Sequence, residues 1–95
     1  MTGADAAGVG VFLFDVLGPM VGPLAARPGD VLVVAPGTAH PMRVVRRGSS
    51  RVLREAPANY AALEQLIADG VLAARSERGR QAVAWAAAQA PARTG

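Results

Sequence analysis

Cysteine and lysine are both missing from this chain. Without thiols it can form neither a disulfide nor a thiolate metal site. Without lysine, all of its positive charge rests on arginine, which stays protonated and can fork onto a carboxylate or a phosphate. Histidine occurs once, at His40, and one imidazole cannot hold a catalytic metal without further ligands. The aromatics are Phe12, Phe14, Tyr60 and Trp85, none of them interleaved with the basic residues, so a stacking platform for single-stranded nucleic acid is not expected. The run that comes nearest to a membrane span, Ala6 to Ala26, is interrupted by Asp15, Pro19 and Pro23. No basic stretch precedes it, so a secretory signal is not expected either. The acidic residues are scattered, Ser49 and Ser50 have no evident base, and Gly8 and Gly10 lack the glycine–lysine pattern of a phosphate loop. We expect no enzyme, no cofactor and no metal.

What is present is apolar. Hydrophobic residues make up 52% of the chain and charged residues 18%, an imbalance that calls for surface covered by another chain. Ninety-five residues make a single domain, residues 1–95. A chain this short buries only about 60–65% of the surface its unfolded form exposes, which leaves little stability in hand. The net charge of +3 permits contact with polyanions without requiring it.

Residues 1–8 are rich in glycine and alanine and read as a loose arm. The β-rich part spans 9–55. Val9 to Leu17 is strand-like, with Val9, Val11 and Leu13 on one face and Phe12, Phe14 and Val16 on the other, a pattern that predicts cover on both sides. A proline-rich loop follows over 18–29, expected to pack on a partner, and Val31 to Ala35 is a second strand announced by Pro28-Gly29-Asp30. The helical part spans 56–91. Pro57 suits a first turn, Tyr60, Leu63, Leu66 and Ile67 form an apolar stripe, and Gly70 is a stop. Ser76 with Glu77 opens a second helix that carries Val83 and Trp85 and ends at Pro91. Trp85 is the one large anchor of that helix, suited to core packing first and to an interface second.

The densest signal is a run of arginines, Arg43, Arg46, Arg47, Arg51 and Arg54, straddling Gly48-Ser49-Ser50 between two β-branched segments. It predicts a hairpin of Met42–Arg47 and Arg51–Glu55 with a cationic tip. A three-residue loop places Arg43 opposite Glu55 and Val45 opposite Leu53. A two-residue loop at Gly48-Ser49 places Arg46 opposite Arg51 and Arg43 opposite Arg54. Unlike charges facing each other favour the first. The tip can be solvated, dock on an acidic protein surface, or touch a nucleic-acid backbone.

Three resemblances bear on function. Residues 27–40, from Arg27 through Pro28-Gly29-Asp30 to His40, resemble the second conserved motif of the cupins, which would make His40 a metal ligand; the family's first motif is missing, and the segment reads as a lookalike built of ordinary turns. Residues around Gly70 are similar to a helix-turn-helix, in which Arg75, Arg78 and Arg80 would meet phosphates, although Gly79 would weaken the recognition helix. In general character the whole chain resembles small accessory proteins of bacteriophage particles, such as capsid cement or decoration subunits, which implies assembly in many copies and a place in the virion, with the cytoplasm as the alternative.

The expected fold is therefore α+β: a small antiparallel β-meander of three or four strands followed by two short helices. The expected function is non-enzymatic docking on protein subunits, its own copies or a capsid-type partner, through Arg43, Arg46, Arg47, Arg51, Arg54, Phe12, Phe14 and Trp85. Nucleic acid is the second choice of partner, and a membrane is not expected.

Overall fold

The computed structural model describes residues 10–89. Residues 1–8, expected as a loose arm, lie outside them, as do Val9 and Pro91. Seven elements follow one another: β1 (Phe12–Val16), β2 (Asp30–Val34), β3 (Met42–Arg46), β4 (Val52–Ala56), α1 (Tyr60–Ala68), β5 (Leu72–Ala74) and α2 (Glu77–Gln89), with a short 3-10 turn at Gly22–Leu24. The sheet is antiparallel throughout, in the order β4-β3-β2-β1-β5. The first four strands form the expected meander, and the fold is α+β.

One strand escaped the sequence reading. After α1 the chain returns to the free edge of β1 and adds Leu72–Ala74 there, with Phe14 opposite Ala74 and Val16 opposite Leu72. Two of these three residues are alanine, which has little strand propensity. Pairing with β1 makes the strand. It also rules out a helix-turn-helix, because a strand separates the two helices. The neighbouring arginines are drawn into the fold: Arg75 pairs with Asp15, and Arg80 with Glu64 at 2.6 Å.

Strand alternation sends one set of side chains toward the helices. Phe12, Phe14 and Val16 of β1 join Leu32 and Val34 of β2, Met42 and Val44 of β3, and Leu63 and Val83 of the helices in one core. Asn59 caps α1, its Oδ1 accepting from the Ala62 N–H at 3.1 Å, and Gly70 follows the helix at φ +78°. Ser76 caps α2 in the same way, accepting from the Gly79 N–H at 3.0 Å. Gly79 lies where α2 crosses β1. A Cβ there would sit 3.0 Å from the Cβ of Phe12, so this glycine sets how closely helix and sheet approach.

The proline-rich loop, expected to pack on a partner, folds back on its own domain through Met20, Leu24 and Ala26. Met20 and Ala26 exchange backbone hydrogen bonds of 2.9 and 3.1 Å, which close the loop. Met20, Leu24 and Ala26 enter the core, and Val21 points outward.

Candidate docking surface

The arginine hairpin forms with two registers. At its base Arg43 faces Glu55 and Val44 faces Arg54, as the three-residue loop requires. Nearer the tip Val45 faces Val52, and Leu53, expected opposite Val45, is the extra residue of a bulge. The turn itself runs from Arg46 to Ser49, closed by the Ser49 N–H on the Arg46 carbonyl at 2.9 Å, with Gly48 at φ +81°. A short turn therefore serves the tip, and the bulge restores the register that sets Arg43 opposite Glu55, although Arg43 Nε donates to the His40 carbonyl at 3.3 Å and Glu55 lies against His40. The turn residues alone could not reveal a bulge three residues further on.

The hairpin also carries part of a larger surface. The helices cover one face of the sheet only. On the other face, two rows run across the strands: Ala73, Asp15, Val31, Val45 and Val52 in one; Leu13, Val33, Arg43 and Glu55 in the other. An antiparallel sheet with one open face usually turns polar side chains to solvent. Here the open face is made largely of Leu13, Val31, Val33, Val45 and Val52. These five line a shallow cleft of about 340 Å3, edged by Arg43, Arg47 and Arg75.

Asp15 ties this rim together. Its Oδ1 accepts from Arg75 Nε at 3.1 Å, from an Arg75 terminal nitrogen at 2.9 Å and from an Arg47 terminal nitrogen at 3.0 Å. The hydrogen bond from Arg75 comes first among the influences that hold this carboxyl below its ordinary value of 3.8; burial opposes it, and the charges of both arginines add to it. Arg47 reaches Asp15 from the hairpin turn, so its stem crosses β2 beside Val31. That explains why Val31 is only 5% exposed on an otherwise open face. One negative charge thus orients two guanidiniums that have further donors to offer.

The eight residues expected on one docking surface do not converge. Arg43 and Arg47 border the open face, whereas Arg46 alternates to the helix side with Met42 and Val44. Arg54 belongs to the helix side, where its Nε donates to the Ala25 carbonyl at 3.1 Å. Arg51 stands past the turn, its backbone N–H on Ser49 Oγ at 3.1 Å. Phe12 and Phe14 are core residues, Phe14 fully buried, so no partner reaches them in this fold. Trp85 is 60% exposed on α2, beside Tyr60 and Pro36 and away from the open face. It is not the core anchor its size first implied, because the sheet meets α2 through Gly79 and Val83 instead. The residues missed are Leu13, Val31, Val33, Val45 and Val52, with Asp15 and Arg75. Their signal was legible in part, as the second apolar face of β1 and the valine runs of β2 and β3.

His40 lies 3.7 Å from Glu55, both largely exposed, and among the described residues no group of three His, Asp or Glu side chains is placed to hold a metal ion. The sheet is open, unlike a cupin barrel. No helix among the described residues is long and apolar enough to cross a membrane. Compared with known proteins, the chain matches no family model, no curated protein and no solved structure.

Proposed function

We propose that this protein is a non-enzymatic docking module that lays its open sheet face on a partner protein subunit. The observation that carries the reading is the apolar face of Leu13, Val33, Val45 and Val52, over which no element among the described residues is laid, with arginines at its edge. Burying such a face stabilises a complex by about 25 cal/mol for each Å2 of apolar surface removed from water, before association costs are counted. The arginine rim selects a partner with apolar side chains flanked by carboxylates, because charge complementarity fixes register and suppresses wrong partners. The same rim opposes face-to-face pairing of two copies, since Arg43, Arg47 and Arg75 would approach their equivalents. Capsid cement and decoration subunits are the class of assembly whose general character the chain shares, and we place the partner there.

A nucleic-acid partner draws less support. Arg43, Arg47 and Arg54 already donate to protein oxygens. Binding to phosphates would weaken steeply with salt, which separates the two readings.

The test is site-specific cross-linking. A photoreactive benzoylphenylalanine at Val52, on the open face, is expected to give one discrete protein adduct in the cells that make the protein. The same group at Ala61, exposed on α1, is expected to give none. Val33→Glu in the same chain should remove the Val52 adduct while leaving the circular dichroism unchanged. No adduct at Val52, or the same adduct from Ala61, refutes the proposal.

A further inference from the structure

On the opposite side of the sheet, past the end of the core, three arginines open into one cleft. Alternation carries Arg46 to the helix side two residues beyond the buried Val44, and Arg54 to the same side two residues before the buried Ala56. The loop ahead of β2 brings Arg27 to them, and the cleft they share measures about 520 Å3. Met20 and Leu53 form part of its wall.

One carboxylate, Asp30, lines the same cleft. Asp30 lies directly opposite Arg46 in the sheet, yet its Oδ2 accepts from the Arg27 backbone N–H at 3.1 Å, closing the turn into β2. Among the described residues, the side chains of Arg27 and Arg46 make no hydrogen bond or ion pair. Arg54 is oriented by its Nε bond to the Ala25 carbonyl, which leaves its two terminal nitrogens as a fork. Three guanidiniums against one carboxylate leave two positive charges in excess on one cleft. Like charges gathered on one sheet end are unfavourable unless an anion joins them.

We propose that Arg27, Arg46 and Arg54 form a binding site for a phosphate dianion of the phosphomonoester type. A terminal phosphate carries close to two negative charges at neutral pH and offers three oxygens, which suits three arginines lining one cleft. A phosphodiester carries a single charge per group and binds along a stripe, whereas this cleft has no aromatic wall for a base. The site opens on the opposite side of the sheet from the docking face, with Arg46 at the edge of both clefts; Val33→Glu leaves it intact, and Arg27→Gln leaves the docking face intact.

Calorimetric titration at constant ionic strength tests this. Inorganic phosphate and phosphoserine are expected to bind saturably, and a thymidine dinucleotide, as the phosphodiester arm, to bind more weakly. The double variant Arg27→Gln/Arg46→Gln should lose affinity by about tenfold or more, since a hydrogen bond to a charged group contributes about 1.5–3 kcal/mol. Neither side chain has a partner among the described residues, so the variant should keep the wild-type circular dichroism. Arg51→Gln, which removes a similarly unpaired arginine outside the cleft, should bind as the wild type does. Absence of saturable phosphate binding, an equal loss in Arg51→Gln, or a dinucleotide that binds as tightly as phosphoserine overturns the proposal.

Discussion

Gly79 offers a perturbation whose sign separates two accounts of the same residue. As a glycine inside a helix, it should weaken α2, and Gly79→Ala should stabilise the protein by about 0.8–1 kcal/mol. The packing argues the opposite. The added methyl would lie 3.0 Å from Phe12 Cβ, 3.3 Å from Phe12 Cδ1 and 3.2 Å from Ser76 Oγ. None of these neighbours is a loose side-chain tip. Phe12 Cβ is fixed to β1, and Ser76 Oγ is held by its cap on the Gly79 N–H. Helix or strand must therefore move by several tenths of an ångström, at an overpacking cost of about 1–3 kcal/mol. The difference is a net loss centred near 1 kcal/mol, equivalent to a fall of about 4–8 °C in melting temperature for a domain of this size. Gly79→Val adds two further methyl groups with a smaller propensity gain than alanine gives and should lose more. Urea unfolding followed by far-ultraviolet circular dichroism measures both variants, with an unchanged slope marking a change in stability alone. A midpoint for Gly79→Ala at or above that of the wild type would refute the claim that this glycine sets the helix–sheet distance.

Further outcomes follow from other contacts. Asp15→Asn should destabilise by about 0.5–2 kcal/mol, because two partly exposed arginine pairs are lost together. Since the folded Asp15 carboxyl titrates below 3.8, its contribution is present above that pH and lost as the pH falls through the lower folded value. The stability difference between wild type and Asp15→Asn should therefore shrink below pH 3.8, and a difference constant with pH down to 2 would contradict the assignment. Asn59→Ala removes the α1 cap and should cost about 1 kcal/mol in the same urea assay, with Asn59→Asp retaining most of the stability. Trp85 should fluoresce with the red-shifted emission of a solvated indole and be quenched readily by acrylamide; blue-shifted, protected emission would place it in the core instead.

Much of the fold was legible from local chemistry. The arginine hairpin, the strands around Phe14 and Leu32, and both helices follow from β-branched runs, turn glycines, an apolar stripe and capping residues, all of which act within a few positions of one another. Opposed charges even identified Arg43 with Glu55, because a cross-strand pair in a hairpin is a local matter too. β5 was not legible, since Leu72-Ala73-Ala74 becomes a strand only where β1 offers a free edge. The candidate surface was only half legible. The sequence marked β1 as apolar on both sides and fixed that the chain holds more apolar material than its few charges can offset. Whether a given apolar face is covered depends on where the helices land. Tertiary packing put both of them over Phe12, Phe14 and Val16, so these phenylalanines became core, while Leu13, Val33, Val45 and Val52 on the other face kept partial exposure. It also drew Asp15, Arg47 and Arg75 together from three distant parts of the chain. Sequence sets side-chain periodicity and charge, which are local; the choice of face and the meeting of remote charges are properties of the packed sheet.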